Sequence, residues 1–311
     1  MTKRVYSFEE GNGNDKMLLG GKGAGLCTMT KIGLPVPEGF VITTEQCKAF
    51  IANGNKMPEG LMDDVKAAMH EVEKKSGKVF GGDQNPLLVS VRSGAAMSMP
   101  GMMDTILNLG LNKTTVQALA KLTNNERFAY DSYRRFVSLF GKIALGVDDE
   151  VYDKTLEKKK EEKGVKLDTE LDANDMKELA EIFVKKTEEF TKQPFPECPY
   201  AQLECAIAAV FRSWMGKRAV DYRREFKITP EQADGTGVSV VSMVYGNMGN
   251  DSATGVCFTR DPGTGENQFF GEYLKNAQGE DVVAGIRTPQ IITNMKDDAD
   301  LPGCYEQLLD I

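Results

Sequence analysis

The apolar positions of this chain change their spacing twice along its length, and those changes predict its elements. In the first hundred or so residues, short apolar runs alternate with glycine-rich turns and helical stretches. Leu87, Leu88, Val89 and Val91 form one such run that stops at polar residues, the pattern of a sheet strand feeding a loop. DVKAAMHEVEKKSG reads as an amphipathic helix. From about 112 to 197 the pattern is helical and highly charged: EKKKEEKG at 157–164 and MKELAEIFVKKTEEF at 176–190 mix both signs with spaced apolar residues, as solvated helix faces do. Pro194, Pro196 and Pro199 then punctuate the chain, and Leu203, Ile207, Val210, Phe211 and Trp214 predict a long helix over about 200–226 with a core-facing stripe. From Gly237 the period shortens, and VSVVSMVY, TGVCFTR, NQFFGEYL and EDVVAGIR read as four strands joined by Gly, Asn and Asp turns. The whole is a mixed α+β chain in three textures, 1–111, 112–197 and 198–311, without an evident internal repeat.

Composition narrows the class. With 311 residues and 41% hydrophobic content, the chain can build two or three real cores. A net charge of −8 argues against a protein that blankets nucleic acid, which needs a basic surface. The N-terminus has no apolar core of signal-peptide length and no run approaches the roughly 18 apolar residues of a membrane span, so a cytoplasmic enzyme without membrane association is expected. Six cysteines, at 27, 47, 198, 205, 257 and 304, include no CxxC pair. Reduced thiols are expected, and with His70 as the sole histidine a zinc site has little material.

Two glycine-rich segments carry candidate chemistry. In LLVSVRSGAAMSMPGMMDT, Arg92 stands at the end of the predicted strand, where a guanidinium presents fixed donors to phosphate oxygens and the backbone near Gly94 and Gly101 is free to approach a ligand. The bland alternative is a surface arginine paired with a carboxylate. In LLGGKGAGLCTM at 18–29, Gly20, Gly21, Lys22, Gly23 and Gly25 precede a short helix, and helix-start amides beside a lysine suit an anion. The segment is not a P-loop, because Gly23 stands where that motif needs Ser or Thr. Two cationic loops at strand ends can close on one ligand, yet they name no reaction.

A resemblance does. GGKGAGL at 20–26, LPVPEGFVIT at 34–43, SVRSGAAMSMPGMMDTILNLGLN at 90–112, RFAYDSYRRF at 127–136, FRSW at 211–214, TGVCFTRDPGTGE at 254–266 and GEYLKNAQGEDVVAGIRTPQ at 271–290 closely resemble the pyruvate phosphate dikinase family over essentially the whole chain. The resemblance implies an ATP-grasp-like nucleotide-binding domain with a charged helical subdomain. Its expected boundaries are 1–111 with 198–240, 112–197, and an incomplete strand-rich part at 241–311. It implies Mg2+ and ATP, with inorganic phosphate as a further substrate. A histidine on a separate swivelling domain is phosphorylated, and the phosphoryl group is carried to a pyruvate-binding barrel. The full-length enzyme is expected to be a homo-oligomer.

Carried over by position, Lys22 and Arg92 match phosphate binders, and Gly101 matches a loop that closes over the phosphates. Thr254 and Gly255 are placed at a turn between two predicted strands, against nucleotide or phosphate. Arg135 is similar to an arginine at the phosphate end of the site, with a helical ion pair as its alternative. Glu272 and Glu280, in strand-rich segments, match the site wall. Each offers a carboxylate to a ribose hydroxyl, an adenine amine or a metal, or simply ends an exposed strand. Metal ligands are left unassigned. The chain stops at Ile311, short of the family segment with the last acidic ligands, and has no phosphohistidine motif; His70 is read as a helix-surface or packing residue. A piece of a longer enzyme that makes no phosphoenolpyruvate alone is therefore expected. The alternatives are a related dikinase, such as phosphoenolpyruvate synthase or a glucan-phosphorylating enzyme, and a non-catalytic nucleotide-binding module.

Overall fold

The structure is a computed structural model that describes residues 3–283, 285 and 287–311, without the side chains of Glu280 and Val283. Contacts divide it into two compact units, Met1–Met243 and Val244–Ile311.

The first unit is organised by a five-stranded antiparallel sheet. Its order is β1 (Val5–Ser7), β2 (Gly39–Ile42), β7 (Gly237–Ser242), β5 (Val89–Gly94) and β6 (Thr105–Leu109). The run at 87–91 thus becomes a central strand. Because side chains alternate across a sheet, Ser90 and Arg92 share a face with their partners Val241 and Ser239, and Val89, Val91 and Ser93 take the other face. Helix α1 (Lys16–Lys31) covers the Arg92 face over β2 and β7, where Leu19, Ala24 and Cys27 pack with Phe8, Val41 and Val241. Gly23 permits this approach: a Cβ there would lie 2.8 Å from a Val41 methyl.

Helices α2 (Thr44–Ala52), α3 (Leu61–Ser76) and α8 (Pro199–Ser213) complete the sheet layer, with α2 and α8 joined by the Phe50–Phe211 ring contact at 5.4 Å. A two-strand parallel pair, β3 (Val79–Phe80) and β4 (Pro86–Leu87), leads into β5. His70 is exposed on α3 and bonds Glu73 at 2.7 Å.

The charged middle of the chain is helical: α4 (Thr115–Thr123), α5 (Glu126–Leu145), α6 (Asp149–Lys163) and α7 (Ala173–Thr191). The Asn125 side chain caps α5 by accepting from the Phe128 amide, and Gly146 ends it at φ 75°. α5 packs on α7 and on β6, tying these helices to the sheet. Most of the charges lie at the surface, but Lys159 is buried and donates to Glu178 at 2.5 Å.

The predicted helix over 200–226 is two helices. Trp214 closes a tight turn, its amide bonding the Phe211 carbonyl, and Gly216 is extended before α9 (Lys217–Glu225) begins. The apolar stripe ends at Trp214, and its period gave no sign that a second helix restarts so soon.

In the second unit, β8 (Ala253–Phe258), β9 (Phe270–Lys275) and β10 (Gln290–Ile291) form an antiparallel sheet. Tyr273, Ile292, Met295, Leu301 and Tyr305, the last on α11 (Cys304–Asp310), make its core. EDVVAGIR is not the strand that its apolar residues suggest, since Gly279–Val283 forms a short helix, α10. The Asp281 carboxylate accepts the Gln278 amide at 2.8 Å, a local bond that favours a helical start over a strand.

Candidate functional site

The two glycine segments singled out in the sequence meet in the first unit. Gly20 interrupts α1 with φ 70° and ψ 162°, so Lys16–Leu19 and the helix from Gly21 onward are separated by a kink. Gly23 and Gly25 lie inside the helix rather than in a loop before it. Gly20 sits against the end of β5: a Cβ there would fall 1.6 Å from the Gly94 carbonyl oxygen. The Gly21 amide donates to Ala95 at 2.8 Å, so one of the helix-start donors expected to face an anion is already engaged by the other loop.

This contact brings Lys22 to Arg92. Gly94 lies against the Lys22 side chain, with 3.1 Å between the Lys22 Cβ and the point where a Gly94 Cβ would stand. Burial holds the Lys22 ammonium below the ordinary lysine range, and the neighbouring Arg92 charge lowers it further. Arg92 is lowered too, by desolvation, although its surface remains open to solvent; a guanidinium stays charged regardless. Arg92 is oriented by its Nε donating to Ser90 Oγ at 3.0 Å, while Ser90 Oγ donates to the Val241 carbonyl at 3.3 Å. Among the described residues, no carboxylate pairs with Lys22 or Arg92.

Gly101 lies in the exposed connection between β5 and β6, with φ 72°. Its carbonyl accepts from Arg218 of α9 at 3.3 Å, and Arg218 also reaches Asp104 at 3.1 Å. Arg218 and Thr236 are contributors that sequence reasoning missed. The Thr236 hydroxyl accepts the Gly94 amide at 3.0 Å and donates to the Gly237 carbonyl at 3.0 Å, fixing the end of β5. Only the spacing of Ser90 two residues before Arg92 was readable as a same-face pair.

Arg135 is held on α5 by Asp131 at 3.1 Å and Asp168 at 3.5 Å. Arg134 shares both carboxylates, at 2.5 Å and 3.3 Å. Burial raises the Asp131 carboxyl, but the charges of Arg135 and Arg134 and the Arg134 hydrogen bond outweigh it and leave the group well below the usual carboxylate range.

Thr254, Gly255 and Glu272 belong to the second unit. Thr254 and Gly255 are not at a turn but within β8, where Thr254 faces Leu274 and Gly255 faces Tyr273 across the ladder. A Cβ on Gly255 would meet the Glu272 carbonyl at 2.4 Å, so this glycine serves close strand packing. Glu272 is exposed on β9 between Val256 and Ile291. Glu280 lies in α10 rather than a strand, and its side chain is outside the described residues. Among the described residues, no three His, Cys, Asp or Glu side chains converge on a metal-sized site, and no helix is long and apolar enough to cross a membrane.

The family model for the pyruvate phosphate dikinase AMP/ATP-binding domain matches residues 16–60 and 53–305. The pyruvate, phosphate dikinase of Entamoeba histolytica is 88% identical over 309 residues, covering 99% of this chain and 35% of that protein. The Clostridium symbiosum enzyme of the same name is 51% identical, covering 100% and 35%. A chloroplastic one from Mesembryanthemum crystallinum is 49% identical, covering 99% and 32%. The chain thus spans about a third of the length of these curated relatives. Its α+β fold is that of an ATP-grasp-like nucleotide-binding domain, and the chain belongs to the pyruvate phosphate dikinase AMP/ATP-binding domain family.

Proposed function

We propose that Lys22 and Arg92 bind the phosphate chain of ATP, and that this chain is the nucleotide-binding part of an enzyme converting ATP, pyruvate and phosphate to AMP, phosphoenolpyruvate and diphosphate. The observation that carries this reading is a pair of neighbouring cations with no carboxylate partner among the described residues, Lys22 being depressed by burial first and by the Arg92 charge second. Structural cations are normally paired, and an unpaired couple costs repulsion that a polyanion relieves. Arg92 lies inside β5, which continues to Gly94, rather than at the strand's end as its apolar run suggested, and two cations held on a strand and just past a helix kink suit phosphoryl transfer, which depends on positioning and on neutralising charge that develops on non-bridging oxygens.

Within this reading, Gly101 supplies backbone to a loop over the phosphates, and Arg135 is an arginine of the phosphate end of the site, its alternative being the ion pairs with Asp131 and Asp168. The assignment of Thr254, Gly255, Glu272 and Glu280 to nucleotide binding belongs to the same proposal. The division into 1–111 with 198–240, 112–197 and 241–311 belongs to the same proposal. So do a phosphorylated histidine and a pyruvate barrel supplied by the rest of the enzyme, its homo-oligomeric state, and a cytoplasmic location, which the free thiols support. Magnesium would arrive with ATP. The described residues do not assemble a protein ligand set for it.

Titration of the chain with ATP tests the binding step. Wild type should bind saturably, and Arg92→Ala should weaken binding at least tenfold, as loss of a charge-assisted contact does. Equal binding by wild type and Arg92→Ala would remove Arg92 from the site. In the full-length enzyme, ATP labelled at the β-phosphate should label a histidine; ATP binding without such labelling would replace the dikinase reading with that of a binding module.

A further inference from the structure

Ser90 and Arg92 project from the same face of β5, yet they differ in burial: Ser90 is 1% exposed, whereas Arg92 reaches solvent. A serine hydroxyl carries one hydrogen, and here it goes to the carbonyl of Val241, the residue opposite Ser90 on β7, at 3.3 Å. The oxygen is thereby left as an acceptor, and it receives the Arg92 Nε hydrogen at 3.0 Å. Two bonds in series thus tie the guanidinium to the backbone of the neighbouring strand, which cannot swing as a side chain would.

A guanidinium is a planar fork that can take two oxygens in parallel along either of two edges. The side edge uses Nε with one Nη, and the end edge uses Nη1 with Nη2. Nε has a single hydrogen, and Ser90 holds it, which closes the side edge. The Nη1 and Nη2 hydrogens meet no acceptor among the described residues, so the end edge is ordered in advance and left open.

We propose that Ser90 is a positioning residue for nucleotide binding. By holding Nε it presents the Nη1–Nη2 edge of Arg92, which takes two phosphate oxygens end-on while the bond to Ser90 persists in the complex. The proposal rests on the reading of Arg92 as a binder of the ATP phosphates; Ser90 itself acts only through Arg92.

Calorimetric titration with ATP tests the effect on affinity. Ser90→Ala should weaken binding about fivefold, the worth of one ordinary hydrogen bond. In an Arg92→Ala background the same change should cause no further loss, because two residues that act as one unit are not additive. Proton–nitrogen spectra test the geometry. The Arg92 Nε resonance is identified by its disappearance in Arg92→Ala, and its hydrogen should show a nuclear Overhauser contact with the Ser90 β protons that persists at saturating ATP. Equal losses from Ser90→Ala with and without Arg92 would make Ser90 merely structural and overturn the proposal. Loss of the Overhauser contact on adding ATP would overturn it too, since the ligand would then have taken the side edge. Undiminished binding by Ser90→Ala beside weakened binding by Arg92→Ala sinks this inference alone, whereas wild-type affinity in Arg92→Ala removes the reading on which it rests. Should Ser90→Ala not fold, the contact in the wild-type chain with and without ATP decides.

Discussion

Gly20 and Gly94 touch backbone to backbone: a methyl group at position 20 would sit 1.6 Å from the Gly94 carbonyl oxygen, at a φ of 70° that side chains rarely adopt. Gly20→Ala must therefore push the end of β5 away from α1 and also bear left-handed strain, which together should cost about 2–4 kcal/mol. Gly25 in the same helix meets nothing within 4 Å of an added Cβ, so Gly25→Ala should be neutral or stabilise by up to about 1 kcal/mol. Urea midpoints of the two variants check this. Equal midpoints would mean that the contact between the loops does not shape the fold.

The Gly101 connection is tied to α9 by Arg218, through the Gly101 carbonyl and Asp104. The guanidinium is largely exposed, so Arg218→Ala should change global stability by less than about 1 kcal/mol. Its effect should be local. Hydrogen exchange at the Met102 amide, which bonds Met99 within the same loop, should accelerate while exchange in β5 stays fixed. Unchanged exchange at Met102 would show that Arg218 does not hold the loop.

Asp131 serves two arginines from a buried position, and its proton affinity is far below that of an unfolded chain. A carboxyl with a depressed folded pKa contributes stability that is complete above its unfolded value of about 3.9 and is lost as pH falls towards the folded value. Asp131→Asn should cost about 3 kcal/mol at neutral pH, because it removes the nearer of the two carboxylates that hold the buried Arg134 and leaves it only Asp168. The variant should also lose stability less steeply below about pH 4 than wild type. Parallel acid limbs for the two proteins would refute the linkage.

Arg223 lies over the sole tryptophan, its guanidinium carbon 3.8 Å from the Trp214 ring centre, and donates to the Trp214 carbonyl at 2.9 Å. Arg223→Ala should cost about 1–2 kcal/mol, from the cation–π contact and one hydrogen bond. It should also shift the tryptophan emission to the red as water reaches the ring. An unchanged emission maximum would mean that the ring stays covered by other groups.

What the sequence made legible were features written in local spacing. Arg92 ends an apolar run, and its period-two relation to Ser90 places both on one face of β5. The charged periodicity of 176–190 gave α7, and proline punctuation gave the start of α8. What it hid depends on distant chain. The kink at Gly20 is fitted to Gly94, a residue on another element, so the glycines of 20–25 read as one loop although Gly23 and Gly25 are helical. Thr236 carried no signal because its role is to receive an amide 142 residues away. EDVVAGIR misled because two adjacent valines look like a strand, whereas one carboxylate bond at Asp281 starts a helix. Arg134 and Arg135 are adjacent in sequence and equally charged; only Asp131 and Asp168 reveal how each is held.

The coupling between Lys22 and Arg92 predicts a pH dependence of anion binding with a definite sign. Only the protonated amine attracts phosphate, so ATP affinity should fall as pH rises through the Lys22 pKa of the free protein. That value lies below the usual lysine range near 10.4, because of burial first and the Arg92 charge second. A bound polyphosphate stabilises the ammonium, so binding on the alkaline limb should take up protons, measurable as a buffer-dependent heat. In Arg92→Ala the repulsion is gone, and the alkaline limb should move to higher pH even though affinity drops throughout. Because desolvation remains, the limb should stop short of the position expected for a free lysine. A limb that stays in place in Arg92→Ala would show that the Arg92 charge does not set the protonation of Lys22.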